Sequence, residues 1–234
     1  MKTKHFFSFC MALLITVFSP LLLTACNSGN DNSSGIPSNN PGGWQNPSDD
    51  ADKPANENAN MLVVYFSVPD NVSNSYVEID GQQLGNTQYM AYVIQENTGA
   101  NIFRILPETP YPTDHSELLQ VAQEEKRTGA RPKIKDEIEN FDQYDVVFIG
   151  YPNWNADLPN IMYTFFDTYD FSGKTIVPFN THGGSGFSGT RETIARLEPN
   201  ATMEEGLSIS RNSIQNGRQT IVDWLTRLGY KKTA

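Results

Sequence analysis

A three-layer α/β domain, with a parallel sheet covered by helices on both faces, is predicted over residues 61–234. Its first segment, Met61 to Phe66, is a continuous apolar run of the kind buried on both sides in a parallel sheet. Similar runs recur at Asn101 to Leu106, Asp145 to Gly150 and Thr175 to Phe179, with a weaker one from about Glu205 to Ser210. Helical spacing fills the stretches between them. Five alternations of strand and helix imply right-handed crossovers and one doubly covered sheet.

The helices are read from their apolar faces. Met90, Val93 and Ile94 share one face, as do Leu118, Leu119 and Ala122. Leu158, Ile161, Met162, Phe165 and Tyr169 step at helical spacing, and Ile194 with Leu197 marks a short helix after the fourth strand. Ile214, Ile221, Leu225 and Leu228 define the last one. All of these positions are expected in the core.

Ligands of such sheets sit beyond the carboxyl ends of the strands, near the switch in strand order. The loops after strands one, three and four are therefore where function is expected. The first carries Ser67, then Val68-Pro69-Asp70-Asn71, a polar stretch to Leu84, and Gly85-Asn86-Thr87 opening a helix. Hydroxyls and N–H groups at a helix N-terminus favour an anion; ordinary capping by Asn86 or Thr87 accounts for the same residues. Tyr76 to Leu84 is expected to form a small hairpin turning at Asp80-Gly81.

The loop after the third strand holds Pro152-Asn153-Trp154-Asn155. Here a tryptophan either offers its face to a flat ligand or packs over the sheet edge. Pro159 suits the first turn of the next helix. After the fourth strand comes Asn180-Thr181-His182-Gly183-Gly184-Ser185-Gly186-Phe187-Ser188-Gly189. Its glycines let backbone N–H groups approach a ligand, and a mobile linker would be out of place at this edge. Neither Ser185 nor Ser188 lies in G-x-S-x-G, which argues against hydrolysis with His182.

The beginning of the chain reads as an address. Lys2 and Lys4, an apolar run from Phe6 to Leu23, and Leu23-Thr24-Ala25-Cys26 have the layout of a bacterial lipoprotein signal peptide (residues 1–25), with Cys26 as the lipidated residue. Cleavage elsewhere and a short membrane span are the alternatives; a span needs about 20 apolar residues, and Pro20 interrupts this run. Asn27 stands where an aspartate would mark inner-membrane retention, so an outer-membrane anchor with the domain outside the cytoplasm is expected. Residues 26–60 are rich in Asn, Ser, Gly, Pro and Asp and read as a disordered tether, with Trp44 solvated.

Composition excludes several classes. Both cysteines, Cys10 and Cys26, precede the domain, which therefore has no disulfide, thiolate metal site or cysteine nucleophile. His115 and His182 are far apart in sequence, which argues against a histidine metal site. A net charge of −10 argues against nucleic acid, whose phosphates it would repel.

Residues 61–234 resemble the flavodoxin family, in its bacterial flavodoxin-like branch whose members often carry lipoprotein signals. The resemblance rests on Val63-Val64-Tyr65-Phe66-Ser67, Gly85-Asn86-Thr87, Gly150-Tyr151-Pro152-Asn153-Trp154 and Thr181-His182-Gly183-Gly184-Ser185-Gly186, in that order. It implies strand order 2-1-3-4-5 and binding of flavin mononucleotide (FMN). Ser67, Gly85, Asn86 and Thr87 would then hold the phosphate. Pro152, Asn153, Trp154 and Asn155 would lie along the isoalloxazine ring, with Trp154 stacking. Thr181, His182, Gly183, Gly184, Ser185 and Gly186 would serve its pyrimidine edge. Two departures stand out: the phosphate loop is split by the hairpin, with Asp70 close enough to repel phosphate if it points inward, and the tryptophan loop is unusually polar, with Asn153 and Asn155 on both sides of Trp154.

The function implied is an FMN-binding redox protein tethered to a membrane, exchanging electrons with a partner protein or small acceptor. Two alternatives remain open. One is an FMN-dependent quinone- or nitro-type reductase, with the hairpin and His182 shaping a substrate pocket. The other is a cofactor-less interaction module. No catalytic side chain is expected, because the cofactor carries the chemistry. An acidic chain is expected to disfavour the anionic reduced flavin and lower its potential.

Overall fold

A computed structural model describes residues 60–68 and 75–232. The signal peptide, Cys26, the tether with Trp44, and Asp70 lie outside the described residues. In chain order the elements are β1 (Met61–Tyr65), β2 (Tyr76–Ile79), β3 (Gln82–Gly85), α1 (Asn86–Thr98), β4 (Asn101–Arg104), α2 (His115–Thr128), β5 (Val146–Pro152) and α3 (Asn160–Thr168). They continue with β6 (Thr175–His182), α4 (Thr190–Leu197), β7 (Thr202–Met203), β8 (Leu207–Ser210) and α5 (Arg218–Arg227).

The main sheet is parallel and runs β4-β1-β5-β6-β7, with β8 also on β6. β1 shows why its apolar run is unbroken. Val63 and Tyr65 join one core with α1 and α5, whereas Leu62, Val64 and Phe66 join a second core with α3 and α4. A strand covered on both faces has no polar side to alternate with.

The hairpin forms where expected, turning on Asp80 (φ 50°) and Gly81 (φ 77°). Two successive positive φ angles give the type I′ turn, whose twist suits paired strands. Val77 and Leu84 of this hairpin pack into the same core as α1. Helix α1 is therefore buried on almost every side, from Asn86 to Ile94, which explains why its sequence shows so little amphipathic contrast.

Several boundaries differ from the sequence reading. Strands β5 and β6 run on to Pro152 and His182 and stay in register to Pro152↔Thr181. Asn180 and Thr181 look like loop residues, yet both are buried and satisfied: Asn180 bonds Ser208 and the Gly186 carbonyl, and Thr181 meets Thr87. Buried polar groups cost little once paired.

The fifth strand is split into β7 and β8. Thr175 donates its N–H to Asp145 on the β5 side, so by alternation the missing N–H of Pro178 falls on the opposite edge. The ladder breaks there. Gly206 bridges the gap, because a Cβ at this position would stand 2.8 Å from the Pro178 carbonyl oxygen and 2.6 Å from the Phe187 ring. The last helix is shorter than its apolar spacing implies: Ile214 lies in a separate single turn before α5. Pro159 precedes α3 as its cap rather than lying within its first turn.

A cleft at the carboxyl edge of the sheet

The carboxyl ends of β1, β5 and β6 and the N-terminus of α1 open into one cleft. Ser67 comes from the end of β1, and Asn86 and Thr87 from the first turn of α1. Pro152 ends β5, with Asn153, Trp154 and Asn155 following, while Thr181, His182 and Gly183 come from β6 and its loop. Ten of the fourteen expected cofactor-binding residues thus share one wall. Gly85, Gly184, Ser185 and Gly186 are not among the lining residues.

Local geometry explains the three glycines among them. Gly85 is both the last residue of β3 and the cap of α1, and its N–H is taken by the Gln88 side chain at 3.1 Å. Neither Asn86 nor Thr87 is the cap, because the chain passes from strand to helix without an intervening loop. The Gly186 carbonyl faces the protein, where it accepts from Asn153 (2.9 Å) and Asn180 (3.1 Å). The N–H of Gly184 donates to His182 Nδ1 at 2.9 Å. Thus the glycine-rich segment is folded back and pinned, and Gly183 is the glycine it presents to the cleft.

The Trp154 loop is a tight turn. Trp154 and Asp157 exchange both backbone hydrogen bonds, with Asn155 (φ 51°) and Ala156 (φ 58°) at its tip. Lys126 of α2 clamps the turn through the Asn155 carbonyl (2.8 Å) and Asp157 (3.3 Å), and Tyr163 donates to Asp157. The indole meets Phe66 and Tyr111 edge-on, each with centroids 5.4 Å away. Such contacts hold a ring in one orientation.

His182 is held neutral at pH 7, because burial pushes its pKa below the ordinary histidine value. Accepting from Gly184 at Nδ1 places its proton on Nε2. The Ser188 hydroxyl donates to the Ser185 carbonyl rather than to His182.

Sequence reasoning missed part of the wall. His115, Leu118, Leu119 and Ala122 form one helical stripe of α2 that lines the cleft, and Leu119 is 39% exposed rather than in the core. Arg211, just past β8, lies on the same wall, as do Val68 and Ser75. The 115-118-119-122 spacing was visible, but a stripe facing a cleft looks like one facing a core. His115 and His182 do reach the same cleft, yet no group of three or more metal-ligating side chains forms among the described residues.

A family model described as Flavodoxin matches residues 71–228. The chain belongs to the flavodoxin family. Among solved structures, a candidate flavoprotein from Bacteroides eggerthii is 28% identical, covers 72% of this chain and 97% of its own, and superposes with a TM-score of 0.55. One from Bacteroides uniformis is 24% identical over 72% of this chain and 98% of its own, with a TM-score of 0.56. No curated protein matches. The flavodoxin-like architecture accounts for the cleft's position, at the edge where this fold opens its switch point.

Proposed function

We propose that the cleft binds FMN and that this flavodoxin-family protein is a redox protein held at the bacterial envelope by a lipid on Cys26. The observation that carries the reading is convergence: hydroxyls at the N-terminus of α1, a fixed tryptophan and the β6 loop surround one cleft without a carboxylate among its described lining residues.

The residues fit the ligand's parts. Ser67, Asn86 and Thr87 present polar groups at the positive end of a helix dipole, which suits a phosphate. Trp154 offers a ring on one side, and the aliphatic stripe of α2 supplies an apolar surface near it. Thr181, His182 and Gly183 supply donors for the polar ring edge. The cleft's volume, ≈ 190 Å³, is below the roughly 300–1,000 Å³ of pockets that engulf a ligand, so a flavin held by these residues would not be fully enclosed by them. When bound, FMN supplies one- and two-electron transfer. An exposed edge lets a partner protein or a small acceptor exchange those electrons.

The exposed Leu119, next to Leu118 and Ala122, also favours a second reading as a quinone- or nitro-type reductase, since it provides an apolar bench for a small aromatic substrate.

Titration of the purified full chain with FMN and with riboflavin, followed by tryptophan fluorescence, tests the proposal. FMN is expected to quench and to bind more tightly than riboflavin, with Ser67→Ala/Thr87→Ala erasing that preference. Absence of quenching by either ligand would leave only the interaction-module reading. Steady-state oxidation of a nicotinamide by the protein alone would identify a reductase; a carrier needs a partner.

A further inference from the structure

We propose that Arg211 makes the cleft favour the anionic, two-electron-reduced form of its flavin over the neutral oxidised form. This rests on the FMN reading above and adds a direction to its redox behaviour. The chain carries 27 acidic and 17 basic residues, yet none of the described cleft-lining residues is Asp or Glu. Arg211 is the one lining residue among them with a permanent charge. The acidity of the whole chain, which predicted a lowered potential, does not extend to the described wall.

Its position is built rather than incidental. The Arg211 N–H donates to the His182 carbonyl at 2.8 Å, tying the end of β8 to the end of β6. Its guanidinium lies against bare backbone at Gly183, with Cζ 3.6 Å and Nε 3.7 Å from where a Cβ would stand. Gly183 is held in turn, because Gly184 is bonded to His182 and Gly186 to Asn153 and Asn180. Among the described residues no carboxylate forms an ion pair with Arg211. Its charge is therefore available to the ring edge that Thr181–Gly183 faces. His182, neutral and protonated on Nε2, adds a donor but no charge at that edge.

Reduction adds two electrons and one proton to the neutral isoalloxazine and leaves a monoanion with its charge on the pyrimidine edge. A cation there binds the product more tightly than the reactant. Because Arg211 is exposed, water screens the effect, and about tenfold is expected. Tenfold corresponds to about 30 mV for a two-electron couple.

The test uses the full chain, Arg211→Gln and Arg211→Lys. The oxidised-ligand Kd is measured by fluorescence and the midpoint potential by dithionite titration against a reference dye, with FMN and with riboflavin. Arg211→Gln is expected to lower the midpoint by about 30 mV with both ligands, while Arg211→Lys stays close to wild type. An unchanged midpoint in Arg211→Gln with FMN still bound overturns the inference alone. A loss for FMN but not riboflavin, equal in both redox states, also overturns it by making Arg211 a phosphate contact. If wild type binds neither ligand, the FMN reading falls and takes this inference with it.

Discussion

The hydroxyls of Thr87 and Thr181 meet at 2.9 Å, joining the first turn of α1 to the end of β6 across 94 positions of sequence. Both residues are buried, at 1% and 5% exposure, and each hydroxyl is the other's partner. The contact fixes the spacing between two walls of the cleft.

Replacing Thr181 with Val strands the Thr87 hydroxyl and is expected to cost about 1–3 kcal/mol in chemical denaturation. Adding Thr87→Val should cost less than a second full increment, because no orphaned group remains. Strict additivity of the two losses would show that the hydroxyls are energetically independent.

Trp154→Ala should weaken FMN binding by about 1–3 kcal/mol, the scale of one aromatic stack. Trp154→Phe keeps a ring against Phe66 and Tyr111 and should retain most of the affinity. Titration of folded variants is the measurement; an Ala variant that binds as wild type does would remove Trp154 from the site.

Gly150 is a glycine inside a central strand for a packing reason. It lies opposite Phe179, and a Cβ there would stand 2.2 Å from that ring's Cζ. Gly150→Ala is expected to destabilise the fold by about 2–3 kcal/mol through overpacking. Combining it with Phe179→Leu should cost less than the sum of the two single variants. A fully stable Gly150→Ala protein would contradict the contact.

Glu198 provides a pH dependence of defined sign. Burial, and then the carboxylates of Asp170 and Asp167, push its carboxyl up to about 7. A folded value above the unfolded one, about 4.3, means that the folded state holds this proton more tightly. Its contribution to stability is greatest below the unfolded value, declines as pH rises from there to about 7, and is level above that. Glu198→Gln should therefore raise Tm relative to wild type at pH 8, with the gap closing by pH 4. An equal gap at both pH values would exclude titration of Glu198 as the cause.

Much of the fold was written locally. The apolar runs of β1 and β5, the Asp80-Gly81 turn and the helical spacing of α3 follow from neighbouring residues alone. The ends of β5 and β6 were not readable, because Asn180 and Thr181 become strand residues only when Ser208 and Thr87 arrive from distant sequence to satisfy them. The same holds for the division of the fifth strand, which depends on the absent N–H of Pro178 on the neighbouring strand.

In the site, sequence by itself determined which three turns carry unusual chemistry, since Trp154, the glycine-rich segment and Ser67 are set by residue type. Tertiary structure decided that these turns share one cleft, that the α2 stripe from His115 to Ala122 walls it, and that Arg211 is the permanently charged residue among its described lining. The physical reason is range. Backbone preference and apolar period act over a few residues, whereas the sign of a cleft's charge depends on which distant side chains the packed sheet brings to its rim.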